Sequence, residues 1–542
     1  MSYWLLWIEI LLASLLWVAM WMPGAVRVQR RWLFIRPIFI VIMVPGVILG
    51  LLAMYTALLK YVSNIDSDWF GYAISLWIAF AIGAVVMAIY GARARGGMPA
   101  LAVEWKRAPL AGACLVAMAA AGMTLWNIDV AVLARADNVA LEAQTLYIAE
   151  MPAITSDAEN AAPLYEKAFD LLRGDHPDDL QSWPPGHGNT FIPDEPAMKA
   201  YLARQSKTIA LLRRAAMLPS CRFEQDLQSV FLDPLLAQLN VERAAAGVLG
   251  LDACNEASSG RVAAALQDVM DMKRMSRQFG QRPMMISGLV AIGIDDLAGR
   301  TLQYVLPFVT RPQELADVNF DDISAMRLAM RRAWQGEEYY GLSNIRAMAG
   351  GTMTLMPSTS QEKTPAMSEI MPFPLRDFML PDEIDAYLDL LYRVQQMTLE
   401  PYFKAESGLS ELKESAIPGR PHKGLLVYLL NSAFLHSLAT IATAEALDSC
   451  DQTALAMTRY RLDHGAFPSH LADLVPAYLD AVPLDPFDGN PLRFVVKGNR
   501  WIVYSIGPDG VDNGGVETDK VTHKGDVIFT LTVGKPAAAT QP

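Results

Sequence analysis

ALAMTRYRLDHGAFPSHLADLVPAYLDAVPLDPFDGNPLRFVVKGNRWIVYSIGPDGVDNGG, residues 454–515, predicts a small α+β module. Its helix should end at His464-Gly465, because glycine readily takes the left-handed conformation that closes a helix. A short helix, SHLADLV, is expected next. LRFVV and WIVYS have the composition of strands, and Gly498-Asn499 between them indicates a two-residue hairpin. With DVIFTLTV as a last strand, the pattern predicts a short antiparallel sheet packed on the helix.

The same stretch resembles the globular head of the type II secretion major pseudopilin. The resemblance rests on the end of the helix, on the turn DPFDGNP and on the strand and loop YSIGPDG. The matching residues are Tyr460, Asp463, Gly465, Phe467, Pro468, Asp485, Pro486, Gly489, Asn490, Pro491, Tyr504, Ser505, Gly507, Asp509 and Gly510. The family's basic leader, Gly–Phe cleavage site and mature-helix glutamate have no counterpart before residue 423. The resemblance therefore implies the fold of the head and not assembly into a pilus. Similar heads also occur on large bacterial membrane proteins of unassigned function, and this chain looks like one of those.

The resemblance also implies a calcium site, because the family head binds calcium in its last loop. Here that loop is GPDGVDNGGVETD, residues 507–519. Its oxygen ligands would come from Asp509, Asp512, Asn513 and Asp519, with backbone carbonyl groups completing the coordination shell. The alternative is a polar turn, since Asp and Asn tolerate left-handed backbone.

A long apolar helix is predicted before the module, in GLLVYLLNSAFLHSLATIATAEALDSC, residues 424–450. One interpretation is a fifth membrane span, which would return the C-terminus to the cytoplasm. Asn431, His436 and Ser437 interrupt its apolar runs, so the sequence favours a helix buried within the fold.

Residues 127–420 are predicted to form an all-helical domain with long loops near 174–195 and 343–380. The helical spacing of apolar residues predicts helices near 195–217, 235–256, 260–279 and 382–406. SSGR, residues 258–261, joins the second and third of these as a helical hairpin. Residues 421–542 would then hold the long helix and the α+β head.

Four apolar stretches at residues 3–22, 37–59, 70–91 and 108–126 predict a four-helix transmembrane anchor over residues 1–126. Each is long enough to cross the hydrocarbon core of a bilayer. Glu9 lies within the first stretch, and a carboxylate in a membrane span is a candidate functional group. The alternative is a protonated or water-bridged side chain that faces the helix bundle. The fold class is thus mostly α, with a membrane anchor, an extracytoplasmic helical domain and the small head.

Basic residues set the orientation of this anchor. The loops at residues 23–36 and 92–107 are rich in arginine and lysine, whereas the loop at residues 60–69 carries Asp66 and Asp68. Because basic loops stay in the cytoplasm, the N-terminus and the region after Trp126 should lie outside it. The prediction is a protein of the bacterial inner membrane, in contact with the lipid bilayer.

Charge and cysteine content narrow the possible partners. Residues 1–126 carry nine basic and four acidic residues, a net +5, so the remainder carries −17 of the total −12. An acidic domain argues against a nucleic-acid partner, because phosphate binding needs clustered Lys and Arg. Cys221 and Cys254 either form a disulfide bridge or remain buried thiols.

Motifs of common enzyme classes were sought and not found: GxSxG, HExxH, the P-loop and the Rossmann fingerprint are absent from the sequence. Glu337 and Glu338 are adjacent and do not share a helical face, so they do not form a catalytic pair by themselves. We therefore expect a non-catalytic scaffold that binds a protein partner outside the cytoplasm, linked to secretion or envelope assembly. The alternatives are an extracytoplasmic hydrolase with its pocket in the helical domain, or a sensor or transport-associated membrane component.

Overall fold

The computed structural model describes residues 130–149, 156–175, 196–223, 233–319, 324–349, 375–405, 425–518 and 524–532, with a few single residues between them. In these residues the chain is mostly helical and contains one small antiparallel sheet, as predicted. The four predicted spans, with Glu9, lie outside the described residues. Among the helices that are described, none combines the length and the apolar character that crossing a membrane requires.

The helices are numbered in chain order. They are α1 (130–149), α2 (Ala162–Asp175), α3 (Pro196–Arg204), α4 (Ser206–Ala216), α5 (Asp233–Ser258), α6 (Val262–Gly280), α7 (Met285–Val305), α8 (Ser324–Ala349), α9 (Leu375–Leu399) and α10 (Leu425–His464). The strands are β1 (Arg493–Lys497), β2 (Arg500–Ser505) and β3 (Val527–Thr532). Short 3-10 turns include Leu306–Phe308, Pro312–Leu315, Tyr402–Ala405 and Leu471–Leu474.

The chain divides into two compact units. One consists of Met1–Asn138 with Ile345–Asp382, and its described part is limited to portions of α1, α8 and α9. The other consists of Val139–Asn344 with Glu383–Pro542. The second unit therefore contains both the bulk of the helical region and the α+β head.

The helical region is built on the hairpin of α5 and α6, which confirms the interpretation of SSGR as a connection between helices. One apolar core lies between α2, α4, α5, α6 and α7, and its largest members include Phe169, Leu212, Leu249 and Phe279. The helix predicted near 195–217 is instead two helices, α3 and α4. They meet at Gln205, whose φ of −80° and ψ of 4° depart from helical geometry.

The head has the predicted fold. Its sheet has the strand order β1-β2-β3, and Lys497 pairs with Arg500 across the hairpin. Gly498 in that turn has a φ of +63°, a conformation that glycine adopts without steric cost. Helix α10 ends where expected, because Gly465 has a φ of +79° and its N–H donates to the Arg461 carbonyl at 2.8 Å.

The sheet and the helices share a second apolar core. One face of the sheet, with Val503, Phe529 and Leu531, packs with buried residues of α5, α6, α7 and α10. Helix α10 contributes Cys450 and Met457 to this core, both fully buried. The long apolar helix is thus a buried element of the fold over its described side chains, as the sequence favoured.

Two expectations are corrected. Cys221 and Cys254 are free, buried thiols, so the bridge proposed as one alternative is not formed. Both ends of the segment 343–380, predicted as a loop, are helical, because α8 continues to Ala349 and α9 begins at Leu375. Residues 350–374 and 176–195, which hold the rest of the two predicted loops, lie outside the described residues.

Candidate functional site

The predicted calcium loop is a hydrogen-bonded polar turn over its described part. Asp509 accepts the backbone N–H of Val511 at 3.0 Å through one carboxylate oxygen and that of Gly525 at 2.9 Å through the other. Slight desolvation would raise the pKa of Asp509, but these N–H donors outweigh it and lower the pKa. The carboxylate is therefore already solvated by the backbone of its own loop.

The next two predicted ligands make similar bonds. Asp512 accepts the Gly514 N–H at 2.9 Å, and its other oxygen lies 3.3 Å from Arg493 Nε. Asn513 donates through its side-chain amide to the Val511 carbonyl at 2.7 Å. An amide nitrogen turned inward does not suit a cation, which needs oxygen ligands.

No group of three or more acidic, histidine or cysteine side chains that could hold a metal ion is found in the described part of the chain. The fourth predicted ligand, Asp519, lies outside the described residues. Asp509, Asp512 and Asn513 thus do not by themselves fit a calcium ion, and the calcium site stays a prediction.

Asp526 organises this loop, and the sequence interpretation did not single it out. It is fully buried, and it accepts the backbone N–H groups of Asn513 at 3.0 Å, Gly515 at 2.6 Å and Val516 at 3.2 Å. A buried carboxylate is stable only where donors replace its lost water. Asp526 therefore ties the loop to the first residues of β3.

Asp485 does the same for the DPFDGNP turn. It is fully buried, and it accepts the backbone N–H groups of Phe487 and Ile506, both at 2.9 Å. The Ser505 hydroxyl at 2.8 Å and Arg493 Nη1 at 3.0 Å complete its donors. The motif residue Asp485 thus holds the turn against the end of β2.

The densest group of titratable side chains lies in the helical core. Lys273 of α6 is 2% exposed, and its Nζ lies 2.8 Å from Asp295, 2.6 Å from Asp448 and 3.0 Å from Asp451. Asp295 belongs to α7, whereas Asp448 and Asp451 belong to α10. We call these four residues the lysine cluster. It joins three helices through one ammonium group.

Burial and charge act in opposite directions within the lysine cluster. Burial raises the pKa of Asp295, Lys273 lowers it, and the neighbouring Asp448 raises it again, so that the pKa lies well above its usual range. For Asp448, burial is outweighed by Lys273 and by a hydrogen bond with Asp295, and the pKa is lowered. Burial raises the pKa of Asp451 to about 6. Asp295 therefore holds a proton at neutral pH and shares it with ionised Asp448.

Asp451 is packed tightly in the lysine cluster. Its Oδ2 atom makes no hydrogen bond to any described residue, although it lies 3.0 Å from Lys273 Nζ. A Cβ atom added at Gly299 of α7 would lie 2.8 Å from the same oxygen. The close approach of α10 to α7 at this point thus depends on glycine.

Other buried charges are paired between elements. Arg213 of α4 donates to Asp268 and Asp252, in each case with a bond of 2.8 Å. Arg282 donates to the fully buried Glu242 at 3.0 Å. These carboxylates have raised pKa values because burial outweighs their arginine partners, and the pKa of Asp268 reaches about 7. Their geometry serves helix packing.

Glu337 is the one member of the adjacent glutamate pair with a defined role in the described contacts. Its Oε1 accepts the Met285 N–H at 3.1 Å, at the first residue of α7. Burial raises its pKa to about 7, and the Met285 N–H opposes that rise only in part. Beside it, the rings of Tyr147, Tyr339 and Tyr340 pack together with centroids 5.0–5.6 Å apart. Glu337 therefore caps α7 rather than pairing with Glu338.

Sequence reasoning missed the lysine cluster, because its members are separated by up to 178 positions and no motif joins them. A weaker signal was present. Asp448 and Asp451 are three residues apart, so they share one face of an otherwise apolar helix. Comparisons with models of protein families, with curated proteins and with solved structures return no match for this chain.

Proposed function

We propose that this chain is a membrane-anchored bacterial envelope protein that presents its pseudopilin-like head to a protein partner outside the cytoplasm. The observation that carries the proposal is the apolar core shared by the head and the helices. A head attached by a flexible linker would move freely, whereas a head built into the core holds a fixed orientation. A fixed orientation is what a presenting scaffold requires.

Contacts from three places support this fixed orientation. Tyr402–Ala405 packs on the DPFDGNP turn, where the Phe403 N–H donates to the Pro486 carbonyl at 3.0 Å. Gln303 of α7 accepts the Thr530 N–H at 3.0 Å, at the outer edge of β3. Arg459 donates to the Val318 carbonyl at 2.6 Å, which joins α10 to the segment after α7.

The membrane anchor and the orientation rest on the sequence alone. The four apolar stretches and the basic loops at 23–36 and 92–107 support an anchor whose acidic remainder lies outside. The resemblance of residues 454–515 to a pseudopilin head supports a partner in secretion or envelope assembly. This last step is an analogy at the level of the fold.

The buried charges support a non-catalytic role. In the described residues, the densest titratable group is the lysine cluster, where Asp448 is the most exposed member at 19% of its side chain. A catalytic group has to meet its substrate, and these side chains meet one another. No observation in the described part of the chain favours the hydrolase or the sensor.

A surface for the partner is available on the head. Val511 and Val516, in the loop tied by Asp526, are 55% and 54% exposed. Exposed apolar side chains on a rigid loop are suited to contact another protein. On the opposite part of the sequence, Leu171 of α2 is a matched exposed apolar residue, at 43%.

The test is site-specific photo-crosslinking in intact cells. A photoreactive residue at Val511 is expected to capture a defined extracytoplasmic protein, and the same residue at Leu171 is expected not to capture it. Both positions are exposed, so neither substitution should disturb the fold. Absence of any adduct at Val511 and Val516, or the same adducts at Leu171, would contradict the proposal.

A further inference from the structure

Helix α10 connects two layers of the second unit through its opposite sides. Cys450 is fully buried against the head, and its Sγ lies 4.0 Å from the Val527 carbonyl of β3. Asp448 and Asp451 flank Cys450 in sequence and belong to the lysine cluster with α6 and α7. Any change that moves α10 away from α6 and α7 at the lysine cluster therefore also disturbs the packing of the head.

The charges of the lysine cluster do not balance. With all groups ionised, one ammonium would face three carboxylates. The other charged groups nearby are mostly paired: Asp296 with Arg300 on α7, and Glu445 of α10 with Arg327 of α8. Arg277 of α6 adds one positive charge toward Asp448, and the Cys450 thiol is neutral because burial and the nearby carboxylates raise its pKa.

One proton restores most of this balance. Asp295 and Asp448 are hydrogen-bonded to each other, and two carboxylates can make such a bond only if one of them is protonated. Loss of that proton to solvent leaves two adjacent negative charges on α7 and α10, in a buried place where repulsion is weakly screened. Asp448, whose side chain is 19% exposed, gives the proton a route to water.

We propose that the lysine cluster is a pH-sensitive contact: the proton shared by Asp295 and Asp448 holds α10, and with it the head, against α6 and α7, and its loss at alkaline pH loosens the head. This inference is independent of the partner and of the membrane anchor. It concerns only how firmly the head is held.

The direction of the effect follows from linkage. The pKa of Asp295 is raised on folding, so between its unfolded and folded values the native state binds a proton that the unfolded state has released. The folding equilibrium constant should then fall about tenfold per pH unit as the pH rises through this window. Lys273 stays charged throughout, because its carboxylate partners overcome burial and raise its pKa. The lowered pKa of Asp448 matters only in acid.

The first experiment is urea unfolding of the full-length protein in mild detergent between pH 6 and pH 9. Asp295→Asn keeps a donor to Asp448 but cannot titrate. Its stability should depend on pH less steeply than that of the wild type, by about one proton. Asp296→Asn, which alters only a partly exposed pair with Arg300, should keep the wild-type slope. The other raised groups, Asp268 and Glu337, contribute equally to all three proteins. Equal slopes for Asp295→Asn and the wild type would overturn the proposal.

A second measurement needs no variant, in case Asp295→Asn does not fold. The labelling rates of Cys450 and Cys254 are compared in the wild type by peptide-resolved mass spectrometry, from pH 7 to pH 9. Both thiols are buried and free, and only Cys450 contacts the head. Thiolate formation accelerates both reactions, so their ratio isolates the opening of α10. The ratio of Cys450 to Cys254 should rise with pH, and a constant ratio would overturn the proposal.

Discussion

Single residues show why the described acidic side chains are structural groups. Asp526 and Asp485 are both fully buried, and each accepts at least two backbone N–H groups. In the lysine cluster, an ammonium group replaces those N–H donors. In both settings the protein supplies the solvation that water would otherwise give.

Substitution of Asp526 tests this role directly. Asp526→Asn leaves one oxygen for three backbone N–H donors and turns an NH₂ group toward at least one of them. We expect a loss of about 2 kcal/mol or more in the free energy of unfolding, measured by urea denaturation at pH 7.

The matched control for that measurement is Asp512→Asn, in the same loop. Asp512 is 50% exposed, and its bond with Arg493 is partly solvated, so its loss should cost less than about 1 kcal/mol. Equal effects of the two substitutions would show that Asp526 does not organise the loop.

The sequence identified the exposed loop aspartates more readily than the buried one. Asp509 and Asp512 occur in a recognisable Gly-Asp loop, whereas Asp526 precedes a strand and looks like an ordinary boundary residue. Its role depends on N–H groups 10–13 residues earlier in the chain. That distance is set by the fold, so local spacing could not predict it.

At the scale of elements, local chemistry was enough to predict the head. Gly465 marks the end of α10, and Gly498 marks the turn between β1 and β2, because both need a backbone conformation with positive φ. The division of α3 from α4 at Gln205 was not predictable in this way, since glutamine is compatible with a helix. Its buried side chain accepts a bond from the Thr208 hydroxyl at 2.8 Å, a tertiary detail.

Two glycines in open surroundings test the account of these elements. No atom lies within 4 Å of a Cβ added at Gly465 or at Gly293, which is an exposed position inside α7. Gly465→Ala should lower the free energy of unfolding by about 1 kcal/mol, because of left-handed strain. Gly293→Ala should raise it by up to about 1 kcal/mol, because alanine favours the helix. Urea denaturation measures both, and effects of the same sign would contradict the account.

At the scale of the whole molecule, the sequence predicted a mostly helical chain with a small sheet, and the structure has both. It did not predict that the head and the helical region fall within one compact unit. The head's inner face consists of apolar residues such as Val503 and Phe529, whose partners lie on α5, α6 and α7 as well as on α10. Hydrophobic periodicity shows that a face is buried, and not which element covers it.

The shared core has a direct consequence for unfolding. Separating the head from the helices would expose the apolar side chains of both, at a cost that rises with the area uncovered. The two parts should therefore unfold together under conditions where the lysine cluster keeps its proton. Cys450, buried against β3, and Cys254, buried in α5, report on the two parts without any substitution.

The most direct measurement follows the labelling of Cys450 and Cys254 in the full-length protein, in mild detergent at pH 7, across a urea series. Because the head and the helices share one core, the two thiols should become reactive at the same urea concentration. Reaction of Cys450 at a clearly lower urea concentration than Cys254 would show that the head detaches first, and would contradict the account of a head held in a fixed orientation.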